Sequence, residues 1–163
     1  MENKTNIDIL YELAVERLSA QVKSIDGADT KIGVIFGLTN GLIAALGAFI
    51  LNINSPITCS TIVFTLLTSV SYVIVLVLLY FAYRWGKWVF NPDLEALKNI
   101  CTDPQYQNYP HVVKEWVADE CIYSLEKNKQ PLHNKIQLAN SALITLSVQG
   151  IFLTASFISY FFN

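Results

Sequence analysis

The sequence predicts an all-α membrane protein: three transmembrane helices, with a small cytosolic helical bundle formed by the N-terminal helix and the segment between spans 2 and 3. Three observations carry that prediction. Only 15% of the 163 residues are charged and 53% are hydrophobic, against about a quarter charged in ordinary soluble domains. No charged residue occurs between Lys31 and Arg84, a run of 52 positions, nor in the 28 residues after Lys135. The charges are instead packed into two islands, residues 1–31 and 84–135. A soluble fold of this size cannot bury such runs, and each exceeds the roughly 20 residues that cross a bilayer core as a helix. Soluble enzymes and secreted disulfide domains are thereby excluded. A net charge of −2 argues against bulk binding to a phosphate backbone.

Residues 1–31 form the first element, a cytosolic amphipathic helix. Ile7, Tyr11, Ala14, Leu18, Val22 and Ile25 recur every three to four residues, with Asp8, Glu12, Glu16, Lys23 and Asp26 on the other side. The polar face is mostly acidic, so a protein partner suits the apolar stripe better than an anionic membrane surface. Ten charged side chains, six of them acidic, leave no apolar leader in this stretch. The first span is expected to act as its own insertion signal.

Residues 32–83 read as a transmembrane hairpin, with spans over about 32–51 and 62–83. Asn52, Asn54, Ser55 and Pro56 mark the turn between them. Residues 84–135 form a cytosolic helical region. In it Asn91-Pro92 offers an N-cap and first-turn proline for a short helix to about Cys101. A loop over 103–110 precedes a longer helix from about His111 to Asn128, whose apolar side carries Val112, Val113, Trp116, Val117 and Tyr123. Pro131 is expected to kink or break it. Residues 136–163 hold the third span.

All eleven Lys and Arg residues fall on one side of this arrangement. The positive-inside rule makes that side cytoplasmic, with the N-terminus inside and the C-terminus outside. Tyr80, Tyr83, Trp85 and Trp88 mark the inner aromatic belt, and Phe157, Tyr160, Phe161 and Phe162 the outer one.

Gly33, Gly37 and Gly41 lie at four-residue spacing on the first span, so one face admits a close helix approach, within the subunit or from another copy. Asn40 is the polar position nearest its centre. Thr61, Thr65, Thr68 and Tyr72 form a hydroxyl stripe on the second span. Asn140, Ser147, Gly150 and Thr154 form one on the third, with Gln149 nearby. Helix-to-helix hydrogen bonds account for such stripes, and a pore lining in an oligomer is the sharper alternative. No ionisable residue lies inside a span, which argues against ion-coupled transport and voltage sensing.

Cys101, His111, Cys121 and His133 are spaced by ten, ten and twelve positions and match no zinc signature. Buried thiols and ordinary histidines are the simpler reading. No phosphate loop, dinucleotide fingerprint, nucleophile elbow or metalloprotease motif occurs. The expectation is a protein that is not an enzyme, with no catalytic residue, metal or cofactor. One polar cluster stands out: Asp26, Asp29 and Lys31 before the first span, and Arg84, Trp85, Lys87 and Trp88 after the second. The hairpin brings both segments to one membrane face, as a pocket for a small anionic or aromatic ligand. The simpler account is a juxtamembrane salt-bridge cluster, with Asp26 and Asp29 paired to Lys31, Arg84 or Lys87 and the tryptophans in the headgroups. Spacing favours the latter.

The order of a charged helix, Ile25-Asp26-x-x-Asp29-Thr30-Lys31, a glycine-rich span, a second span, a helical island and a third span resembles the membrane effectors of Pycsar anti-phage systems, the PycTM-like family. The resemblance covers nearly the whole chain, and Asp29-Thr30-Lys31 with small residues behind it is its sharpest piece. It implies a homo-oligomer in the lipid bilayer that senses a cyclic nucleotide, a cyclic pyrimidine mononucleotide made by a partner cyclase, and impairs the inner membrane during infection. Two rivals accompany it: a constitutive membrane scaffold, and a holin-like channel former without nucleotide control.

Overall fold

The computed structural model describes residues 5–52, 57–84, 87–106 and 109–162. The described residues form four helices: α1 (Asn6–Leu51), α2 (Cys59–Arg84), α3 (Leu94–Thr102) and α4 (Pro110–Phe161). Three of them, α1, α2 and α4, are long and apolar enough to cross a membrane. The chain is an all-α, multi-pass membrane protein. Residues such as Leu66, Ile144 and Ile151 are 60% or more exposed on these helices, a display of aliphatic surface that a bilayer covers and water does not.

Two elements read as separate are fused. The amphipathic helix and the first span are one 46-residue helix, and the helix after Pro110 continues through Pro131 into the third span as one helix of 52 residues. Gly27 costs a helix only about 1 kcal/mol relative to alanine, which burial of Ile25, Ala28 and Ile32 on successive turns outweighs. Pro131 removes one intrahelical hydrogen bond, a cost of about 3 kcal/mol. Buried Asn128 before it and buried Lys135 and Ala139 after it hold α4 in place on both sides.

The chain divides into two compact units, one drawing on Met1–Gly27 and Gly86–His133, the other on Ala28–Trp85 and Asn134–Asn163. In the first, Ala14 of α1 packs with Val117, Ala118 and Cys121 of α4, flanked by Tyr11, Leu18, Leu97, Trp116 and Ile122. The α1 stripe follows the expected period. On α4 the buried face is rotated from the expected one: Tyr123 is half exposed, with the Lys127 ammonium 5.4 Å from its ring centre. Cys121 is buried whereas Cys101 is exposed, so only one of the two thiols is part of the core. The α3 cap is Asp93, whose carboxylate accepts from the Glu95 N–H, and not Asn91.

In the second unit Ile32 and Ile35 of α1, Val75, Leu79 and Ala82 of α2, and Ala139, Ala142 and Leu146 of α4 form the core. Pairings of Asp29 with Lys135, Lys31 with Asn140 and Thr39 with Gln149 ascend together along α1 and α4, so these helices run parallel. Pairings of Thr65 with Ser156 and Thr61 with Ser159 descend, placing α2 antiparallel to α4.

Candidate functional site

At the charged end of the span bundle Asp29 and Lys31 tie α1 to α4. Asp29 Oδ1 lies 2.5 Å from Lys135 Nζ, and Lys31 Nζ donates to Asn140 Oδ1 at 2.6 Å. The Lys135 side chain is 3% exposed and Asp29 45%. A buried ammonium is tolerated only where charge and hydrogen bonds replace its water shell. The partner of Asp29 is thus a lysine 106 positions away, not Lys31, Arg84 or Lys87 as the sequence suggested. Arg84, exposed at the end of α2, donates weakly to the Tyr80 hydroxyl at 3.4 Å. Asp26, Lys87 and Trp88 belong to the other unit, where Asp26 and Lys87 are exposed and Trp88 is half-buried. Trp85 lies outside the described residues.

Deeper in the bundle the polar side chains bond across helices. Thr39 Oγ1 donates to Gln149 Oε1 at 2.6 Å with both side chains fully buried. Tyr72 donates to Asn40 Oδ1 at 3.0 Å, and Asn40 Nδ2 donates to the Phe36 carbonyl one turn back. At the far end Ser60, Thr61 and Ser159 share hydroxyl contacts of 2.6 and 3.2 Å. Phe49 packs edge-on against Phe157 and Tyr160, with centroids 4.7 and 5.2 Å apart. The α2 stripe therefore faces inward. On α4 the inward polar residues are Gln149 and Ser156. Ser147 and Thr154 are exposed and return their hydroxyls to their own helix.

Gly33, Gly37 and Gly41 face away from this core. All three are exposed, and nothing lies within 4 Å of where a Cβ would stand on any of them. Half-buried Gly150 has the same open space. Within the subunit the close α1 approach goes instead through Ile35 and Thr39, and no described atom of a neighbouring helix stands within 4 Å of a Cβ added on the glycine face.

The charged unit has a feature that sequence reasoning missed. Asn128, fully buried, accepts from the Val89 N–H at 2.9 Å and donates to the Val89 carbonyl at 2.8 Å. One turn earlier Ser124 accepts from the Asn91 N–H, and another turn earlier Glu120 accepts from the Asn91 side chain. Glu120, Ser124 and Asn128 at i, i+4 and i+8 thus hold the extended chain before α3, replacing the backbone partners that it lacks. The four-residue spacing is present in the sequence, but nothing local to it distinguishes a clamp from a solvated helix face. Asp8 caps α1 through Thr5 and also meets Lys114. The ammonium and the Thr5 donors hold its carboxyl well below the usual range. Burial pushes the Cys121 thiol up, toward an unreactive neutral form.

Among the described residues no three His, Cys, Asp or Glu side chains converge as metal ligands. Comparison with known protein families, with curated proteins and with solved structures finds no match.

Proposed function

We propose that this protein is a signal-gated membrane effector of anti-phage defence. Its charged helical unit, on the cytoplasmic side of the inner membrane, binds a cyclic pyrimidine mononucleotide made by a partner cyclase. Its spans then associate with those of other copies and impair the bilayer, as a pore or as a defect. The observation that carries the gating is the continuity of α1 and α4, each of which supplies residues to both compact units without a break. A ligand that shifts either helix in the charged unit has no loop to absorb the shift before the spans. The nucleotide class rests on the resemblance in Ile25-Asp26-x-x-Asp29-Thr30-Lys31 and the glycines behind it. The open Gly33/Gly37/Gly41 face supplies a surface for another copy.

One observation favours a constitutive scaffold instead. Ile9, Leu10 and Leu13 are 40–52% exposed on the charged unit's part of α1, a patch suited to recruiting a protein. Dye release separates the readings. Purified protein in vesicles should release a trapped dye on addition of cyclic CMP or cyclic UMP and stay tight without them. Tight vesicles with every cyclic nucleotide would support the scaffold, and leakage without any ligand would support a holin-like channel.

A further inference from the structure

We propose that the groove between α2 and α4 at the charged end of the span bundle binds one anionic phospholipid. The groove encloses about 780 Å³, walled by Phe81 of α2 and by Gln137, Leu138, Asn140, Ser141 and Ile144 of α4. From Gln137 to Ile144 is about 10 Å of helix rise, over which the wall changes from amide and hydroxyl groups to bare aliphatic surface. That gradient matches a lipid, polar at the headgroup and apolar at the acyl chain.

The charge at the polar end selects the headgroup. Lys31 commits the Asn140 acceptor oxygen to an ammonium, leaving the donor side of that amide for a ligand. Gln137 and Ser141 add further donors, and both are exposed. Among the described residues no carboxylate lines the groove. One ammonium held on a lining residue, with several neutral donors beside it, suits a phosphodiester that keeps its negative charge. Along the groove Phe81 is 46% and Ile144 67% exposed. A water-soluble phosphate would leave those faces uncovered, whereas an acyl chain covers them. The site does not depend on the nucleotide reading, and neither fails with the other.

The test uses the full chain reconstituted in equal parts phosphatidylglycerol and phosphatidylcholine, extracted in mild detergent and weighed by native mass spectrometry. Wild type should retain phosphatidylglycerol about tenfold over phosphatidylcholine. Asn140→Leu should cut that retention about tenfold, the loss expected for one hydrogen bond to a charged group. Ile144→Trp, which fills the apolar half, should abolish it. Val70→Trp, on an exposed part of α2 outside the groove, should leave it unchanged, with helical circular dichroism as the check on folding. Equal retention of the two lipids, or full retention in both groove variants, would overturn the proposal. So would displacement of the lipid by soluble glycerol phosphate, because the acyl chain would then contribute nothing.

Discussion

Gly37 stands on α1 with nothing within 4 Å of the position an added Cβ would occupy. A leucine there places its Cβ clear of every other described helix of its own subunit. Its higher helix propensity should make the isolated fold equal or up to about 0.8 kcal/mol more stable. Assembly should respond in the opposite sense. Backbones that meet at glycine must separate to the 8–10 Å interaxial distance of ordinary side-chain packing. Losing about 20 atom contacts at ~0.1–0.2 kcal/mol each removes about 2–4 kcal/mol of association, roughly a 30- to 1,000-fold weaker self-affinity. Energy transfer between donor- and acceptor-labelled copies, titrated against lipid in vesicles, measures the second effect. Thermal loss of helical circular dichroism measures the first. Unchanged self-association would remove the glycine face from the account, and a lowered melting temperature would contradict the open space beside it.

Three further outcomes follow from the contacts. Asn128→Ala leaves the Val89 N–H and carbonyl without their side-chain partner, a loss of about 2–4 kcal/mol from two buried bonds. Limited proteolysis near residues 87–91 should accelerate, and a wild-type cleavage rate would refute the clamp. Asp8 has a lowered pKa in the folded chain, so its contribution is fully present above the unfolded carboxylate pKa of about 3.9 and is lost as pH falls through the lower folded value. Acid unfolding of the charged unit should therefore flatten below pH about 4 in Asp8→Asn, and identical acid profiles for the two proteins would contradict it. Asp29→Asn should destabilise the α1–α4 pairing by withdrawing a counter-charge from buried Lys135. The exchanged pair Asp29→Lys with Lys135→Asp should recover part of the loss. Equal stability of Asp29→Asn and wild type would deny the pair a structural role.

The charge-free runs made the spans legible because a bilayer imposes length and hydropathy on each helix separately. The stripe through Ile7, Tyr11, Ala14 and Leu18 was legible for a related reason: one polar surrounding forces one apolar face. Inside the bilayer that contrast vanishes. Ser147 and Gln149 differ by two positions, about 200° around the helix, and hydropathy does not say which of them faces lipid. The continuity of α1 and α4 depended on packing either side of Gly27 and Pro131, not on those residues themselves. The partners of Asp29 and Val89 lie 106 and 39 positions away. Local spacing offers no access to pairs set by how distant segments pack, the register of α1 on α4 for Asp29 and the extended chain laid on α4 for Val89.

The central claim is that a cytoplasmic nucleotide signal, passed along α1 and α4, opens the membrane. Dye release from vesicles bearing the full chain, read against cyclic CMP and cyclic UMP concentration, tests it most directly. The account predicts saturable release that needs the nucleotide and falls in Gly37→Leu. Vesicles that remain sealed at every nucleotide concentration, with the protein inserted and helical, would contradict it.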